Sequence, residues 1–144
     1  EKHQYVQETI EIPICYDPSL ASDLQIVADI LGISPAEISD WHSQLQFTVT
    51  MLGFMPGFAY LQCDAEIPDI GRLAQPRQKI AAGSIGIIGS QSCIYSFDSP
   101  GGWPVIGRTP SVLFDPSSNP VTMLSAGQSV RFIPIGPNEF ANLT

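Results

Sequence analysis

Arg108 is the residue whose surroundings carry the most chemical information. It closes the segment S-P-G-G-W-P-V-I-G-R-T-P over residues 99–110, where Gly101 and Gly102 permit a backbone path that few other residues allow. A guanidinium held between Gly107 and Thr109 can fork onto a substrate carboxylate, or onto Asp98 or Asp115 within the chain, and the sequence leaves both open. A second glycine-rich segment, residues 81–91, has Gly83, Gly86 and Gly89 spaced by three. That spacing misses the dinucleotide-binding pattern, and no Gly-Lys-Ser/Thr follows to make a phosphate loop. It reads as a strand with closely approached glycines, from which Ser84 and Gln91 could present donors to a cavity. The third segment, G-F-M-P-G-F-A-Y over residues 53–60, reads in two ways. It is a tight turn that plugs a barrel end with Phe54 and Phe58, or a loop whose backbone N–H groups face a small ligand.

Acid–base and nucleophilic chemistry is sparse. His3 sits near the terminus, so His42 is the candidate general acid or base, against the alternative of a packed histidine on a helix face. No G-x-S-x-G elbow is present, and Ser84 or Cys93 as a nucleophile would need a base that the sequence does not place beside it. Cys15, Cys63 and Cys93 form neither a paired disulfide framework nor a C-x-x-C half-site, so no metal site is expected, and reduced thiols in a cytoplasmic setting are.

Several elements must position these groups. Ile10, Ile12 and Ile14 alternate in a strand expected over residues 8–16. Asp17 as N-cap, Pro18 in the first turn and the stripe Leu20, Leu24, Val27, Leu31 predict a helix ending at Gly32. S-P-A-E at 34–37 is a capping box for a short second helix carrying Ile38, Trp41, His42 and Leu45. From Phe47 the period changes to that of strands, with short runs at 47–52, 85–88, 93–95, 111–114 and 130–135, and helix-like spacing returns only in the last few residues. Gly and Pro supply 25 of the 144 residues, about 17% against a usual ~12%. Fifteen of those 25 fall between Gly53 and Pro110, beside four of the six basic residues, so the excess marks a site as well as a β-rich fold. Six Lys and Arg against 14 Asp and Glu leave a net charge of −8, which argues against a nucleic-acid or anionic-membrane partner. No stretch is long and apolar enough for a membrane span, and one domain is expected.

Taken in order, L-G-I-S-P-A-E-I, F-T-V-T-M-L-G-F-M-P-G-F-A-Y-L, P-R-Q-K-I-A-A-G-S-I-G-I-I-G, and S-P-G-G-W-P-V-I-G-R-T-P with L-F-D-P resemble the allophanate hydrolase subunit 1 family. That family takes in the B-type 5-oxoprolinase subunits and Kip-type inhibitors of a sporulation histidine kinase. The resemblance runs from about Ile10 to Pro134. It implies a mainly β fold, a cyclophilin-like β-barrel with a small helical hairpin near the N-terminus, forming the C-terminal part of a longer subunit. The implied function is that of a non-autonomous subunit of an ATP-dependent hydrolase opening 5-oxoproline to glutamate. Its implied partners are a second cyclophilin-like barrel of the allophanate hydrolase subunit 2 type and a third subunit. ATP would be used by the assembled complex, with no cofactor held by this chain. The same scaffold serves a histidine kinase inhibitor and an allophanate hydrolase or urea carboxylase component. By resemblance, Arg77, Ser84, Gln91, Tyr95, Gly101, Gly102 and Arg108 bind a small carboxylate or amide and His42 assists proton transfer.

Overall fold

A computed structural model describes residues 9–144. His3 and the expected strand start at Glu8 lie outside the described residues. The fold is mainly β: seven strands close into a barrel, and a two-stranded ribbon lies beside it. The chain runs β1 (Ile10–Cys15), α1 (Leu24–Leu31), a 3-10 turn (Pro35–Glu37), α2 (Ile38–Ser43), β2 (Phe47–Leu52) and β3 (Ala59–Cys63). It continues through β4 (Arg77–Ile80), β5 (Ser84–Ile88), β6 (Gln91–Ile94), β7 (Ser99–Gly101), β8 (Val105–Arg108), β9 (Ser129–Ile135) and α3 (Pro137–Leu143). Around the barrel the order is β1-β8-β5-β6-β3-β2-β9, while β4 and β7 form the ribbon. The seam pairs β1 with β9 in parallel, from Ile10 beside Val130 to Cys15 beside Ile135; the other barrel pairs are antiparallel.

Alternation explains the barrel. Phe47 and Val49 on β2, and Val130 and Phe132 on β9, point inward, while Thr48, Thr50 and Arg131 face solvent. Ile12, Ile14, Leu61, Ile85, Ile87, Ile94 and Ile106 complete the interior. Strand β5 is buried on both faces, because Gly86 looks the other way, onto a second cluster of Phe58, Ile80, Cys93, Tyr95, Trp103 and Val105. A Cβ on Gly86 would sit 2.8 Å from Trp103 Cβ and 3.0 Å from Cys93 Sγ, so this strand must carry a glycine where that cluster packs against it. Among the described residues no helix is long and apolar enough to cross a membrane.

Three expectations differ from the structure. The first helix begins at Leu24, not after Asp17, because the Asp17 carboxylate takes the Ser19 N–H and hydroxyl and locks residues 17–20 into a turn. Gly32, at φ 74°, still ends that helix, and Glu37 bonds back to the Ser34 N–H as the capping box requires. The run at 111–114 forms no strand, only an isolated bridge between Phe114 and Thr122. Strands β4, β7 and β8 are short and rich in glycine, proline or polar residues and show no alternation in the sequence; β3 does alternate, with Ala59, Leu61 and Cys63 buried, and is not among the expected strands.

Candidate functional site

The ribbon of β4 and β7 separates two cavities, and the expected site residues divide between them. Arg77 pairs with Gly101 across this ribbon, and Ile80 with Ser99. Arg77 lines one cavity and Gly101 the other. Ile80 and Val105, which pack in the cluster with Tyr95 and Trp103, also line the first cavity and so form the wall between the two.

The first cavity, about 150 Å3, is basic: Arg77, Lys79 and Arg108 line it together with Ser19, Ser22 and Ser84. Arg77 is already engaged. Its two terminal nitrogens reach the Asp23 carboxylate at 2.6 and 2.7 Å, and Asp23 is 1% exposed. This fork holds the Arg77 guanidinium above its ordinary pKa, through the hydrogen bond to Asp23 first. Among the described residues Arg108 forms no ion pair with Asp98 or Asp115, which resolves one of the alternatives left by the sequence. Its Nε donates to the Ala82 carbonyl at 2.9 Å and its guanidinium stands 5.7 Å from the centre of the Phe140 ring on α3. Asp98 instead accepts the Ala82 N–H, which is the main reason its carboxyl lies below the usual range, and meets Lys79 at 3.5 Å. Asp115 accepts from Ser117 and Ser118.

The second cavity, about 230 Å3, is aromatic. Phe58, Tyr60, Tyr95 and Trp103 wall it, Gly101 and Gly102 floor it, and Arg72 is its cation. The rings meet edge-on or tilted, Phe58 to Tyr95 at 5.0 Å and Phe58 to Tyr60 at 4.9 Å between centres. Burial raises the Tyr60 and Tyr95 phenol pKa values, and Arg72 pulls both the other way. Its loop is tethered on both sides: buried Ile70 anchors it in the barrel core, and the Leu73 N–H donates to the Gly102 carbonyl at 2.8 Å. Gly101 must be a glycine, because a Cβ there would run into the Tyr95 hydroxyl and lie 2.6 Å from Ile80 Cδ1. At the mouth, Phe54 holds a left-handed φ of 69° and is 68% exposed, while Phe58 is buried. The loop over residues 53–60 spends its Gly53, Met55 and Phe58 N–H groups on its own carbonyls, so it builds the wall with side chains.

His42 lies elsewhere. It is fully buried in the barrel core, stacked on Phe132 at 4.7 Å between ring centres. The Tyr16 hydroxyl contacts Nδ1 at 2.8 Å and Ser92 Oγ contacts Nε2 at 3.3 Å. Burial keeps the phenol protonated, and since the Tyr16 and Ser92 hydroxyls can each donate or accept, together they satisfy both ring nitrogens of the neutral imidazole. Desolvation lowers the imidazole pKa to about 3, which keeps it neutral. His42 borders neither cavity, and exposed Gln91 lines neither. Thus Arg77, Ser84 and Arg108 come together, Tyr95, Gly101 and Gly102 come together, and His42 and Gln91 join neither group.

Sequence reasoning passed over Arg72, Lys79 and Asp23 as site residues. Arg72 had one available signal, a lone cation after Gly71 in a stretch otherwise free of basic residues between Lys2 and Arg77. Asp23 had none, since its partner lies 54 positions away.

Residues 1–124 match the family described as carboxyltransferase domain, subdomain C and D. The chain is 41% identical over 140 residues to the B-type 5-oxoprolinase subunit of Bacillus subtilis, covering 97% of this chain and 58% of that protein. It is 28% identical over 148 residues to urea amidolyase of Saccharomyces cerevisiae, covering 98% of this chain and 8% of that protein. The crystal structure of a conserved uncharacterized protein from Pyrococcus horikoshii matches with a TM-score of 0.86 at 42% identity, over 92% of this chain and 61% of that one. The chain therefore spans less than two thirds of the Bacillus subtilis relative.

Proposed function

The chain belongs to the carboxyltransferase-domain family, subdomains C and D, and from that premise we propose that it is a non-autonomous subunit of an ATP-dependent 5-oxoprolinase. The observation that carries this reading is the aromatic cavity with its lone cation. 5-Oxoproline is a small flat lactam ring bearing one carboxylate. Faces of Phe58, Tyr60 and Trp103 suit such a ring, and Arg72 suits the carboxylate. A volume of about 230 Å3 holds it with room for a second reactant.

The residues lining this cavity bind and orient; they include neither a carboxylate nor an imidazole. Cys93, behind the wall, is held protonated by burial. Ring opening therefore depends on groups from partner subunits, a second barrel foremost among them, and ATP is used by the assembled complex. The similarity to urea amidolyase supports a second reading, in which the substrate is urea or a derivative such as allophanate. Urea has no carboxylate for Arg72 to hold, whereas allophanate has one, so that residue separates 5-oxoproline from urea and not from allophanate.

The test is reconstitution with the partner subunits and assay of ATP-dependent glutamate release from 5-oxoproline, with urea and allophanate in parallel. Arg72→Ala should raise KM for 5-oxoproline roughly tenfold to a hundredfold, the effect of losing a charge-assisted hydrogen bond, with a smaller change in kcat. No activity in the full assembly, or an unchanged KM, would remove 5-oxoproline from this cavity.

A further inference from the structure

The basic cavity is separate from the aromatic one, and we infer that it is a binding site for a tetrahedral oxyanion, the phosphate group of a free ion or of a nucleotide. The inference does not rest on the identity of the substrate in the aromatic cavity.

Three of the six basic residues of a chain carrying a net charge of −8 line this one hollow. Counting Asp23 and Asp98 against Arg77, Lys79 and Arg108, the hollow keeps one net positive charge. The donors are unequally committed. Arg77 has given both terminal nitrogens to Asp23 and so fixes the wall. Among the described residues Arg108 has given only Nε, to Ala82, with no partner on its terminal nitrogens, while the Ala82 bond and the Phe140 ring hold the group in place. Lys79 is 74% exposed and meets Asp98 at only 3.5 Å, a contact that an incoming anion can replace. Ser84, 4% exposed at the start of β5, and Ser22, in the turn before α1, add hydroxyls from two further elements.

The donors thus come from the start of β5, the end of β8, the ribbon strand β4 and the turn before α1. A planar carboxylate is satisfied by one in-plane fork; an anion with four oxygens uses donors arriving from several elements. A volume of about 150 Å3 accepts a phosphate group with a few more atoms.

The full 144-residue chain, labelled with nitrogen-15, is titrated at constant ionic strength with inorganic phosphate, ATP, acetate and 5-oxoproline in separate arms. Phosphate should produce saturable amide shifts confined to Ser19–Ser22, Lys79–Ser84 and Val105–Arg108. Arg108→Ala should weaken this binding roughly tenfold, and Lys79→Gln, an exposed change that leaves the core untouched, severalfold. Acetate should bind at least about tenfold more weakly. Saturation at the same amides by ATP identifies the phosphate end of a nucleotide as the source, and saturation by phosphate alone identifies the free ion. Shifts that never saturate, shifts that persist in both variants, acetate binding as tight as phosphate, or displacement of phosphate by 5-oxoproline would each overturn the inference.

Discussion

Asp23 and Arg77 are locked together by two parallel hydrogen bonds across 54 positions of chain, and Asp23 Oδ2 also accepts the Val105 N–H at 2.8 Å. The Asp23 N–H in turn donates to the Val105 carbonyl at 2.9 Å. One buried carboxylate therefore fastens the start of α1, the ribbon strand β4 and the barrel strand β8. Arg77→Ala leaves that carboxylate buried without its counter-charge, at a cost of about 2–4 kcal/mol, reduced from a fully buried pair because Arg77 is 36% exposed. Denaturant unfolding of Arg77→Ala, Asp23→Ala and the double variant should show a coupling above about 1 kcal/mol. Additive losses would mean that the pair does not hold the ribbon.

His42 predicts an acid limb. Its folded pKa of about 3 lies below the ordinary 6.5, so the unfolded chain binds a proton that the folded one refuses. Stability is then complete above about pH 6.5 and falls by about 1.4 kcal/mol per unit as the pH drops towards 3. Urea midpoints between pH 7 and pH 4 should follow this slope, and His42→Gln should flatten it by nearly one proton while lowering stability at pH 8. A slope unchanged in His42→Gln would place the titration elsewhere.

Gly101→Ala forces a methyl group against the Tyr95 hydroxyl and Ile80 on a backbone pinned by β-pairing with Arg77. A loss of about 1–3 kcal/mol is expected from overpacking, with a shift of Trp103 fluorescence as the cavity wall moves. Thermal melts and emission spectra of the variant check both, and an unperturbed spectrum would separate Gly101 from the aromatic wall.

All three cysteines are free and buried. Burial pushes the Cys63 and Cys93 thiols up, against the small pull of their backbone hydrogen bonds. Ellman's reagent at pH 8 should find no thiol reacting within minutes in the folded protein and all three after denaturation. A rapid native reaction would show that the barrel opens locally at the strand concerned.

The parts of this fold legible in the sequence are those coded by neighbours. Alternation marks β2 and β9, Gly32 and the Ser34–Glu37 box mark helix boundaries, and each signal lies within a few residues. The misread helix start shows the limit of such coding: Asp17 offers the same oxygen to a cap or to a turn, and Ser19 two positions on decided for the turn. By resemblance the site residues were expected to line one pocket, whereas the structure places Arg77, Ser84 and Arg108 in one hollow and Tyr95, Gly101 and Gly102 in another. The division between the two hollows is set by Ile80 and Val105 packing on Tyr95 and Trp103, a tertiary contact with no local signature. His42 shows the same limit. Helical spacing placed it on a face, and only the fold revealed that Tyr16 and Ser92 meet that face in the core.

The parallel seam between β1 and β9 bears on the order in which the chain can fold. Ile10 and Val130 are partners 120 positions apart, so β1 waits unpaired on that side until β9, the last barrel strand in chain order, has formed. The barrel closes only when β1 and β9 meet. Contacts of such separation place refolding in the slow range, roughly milliseconds to seconds, and leave an unpaired edge of β1 open to other chains during synthesis.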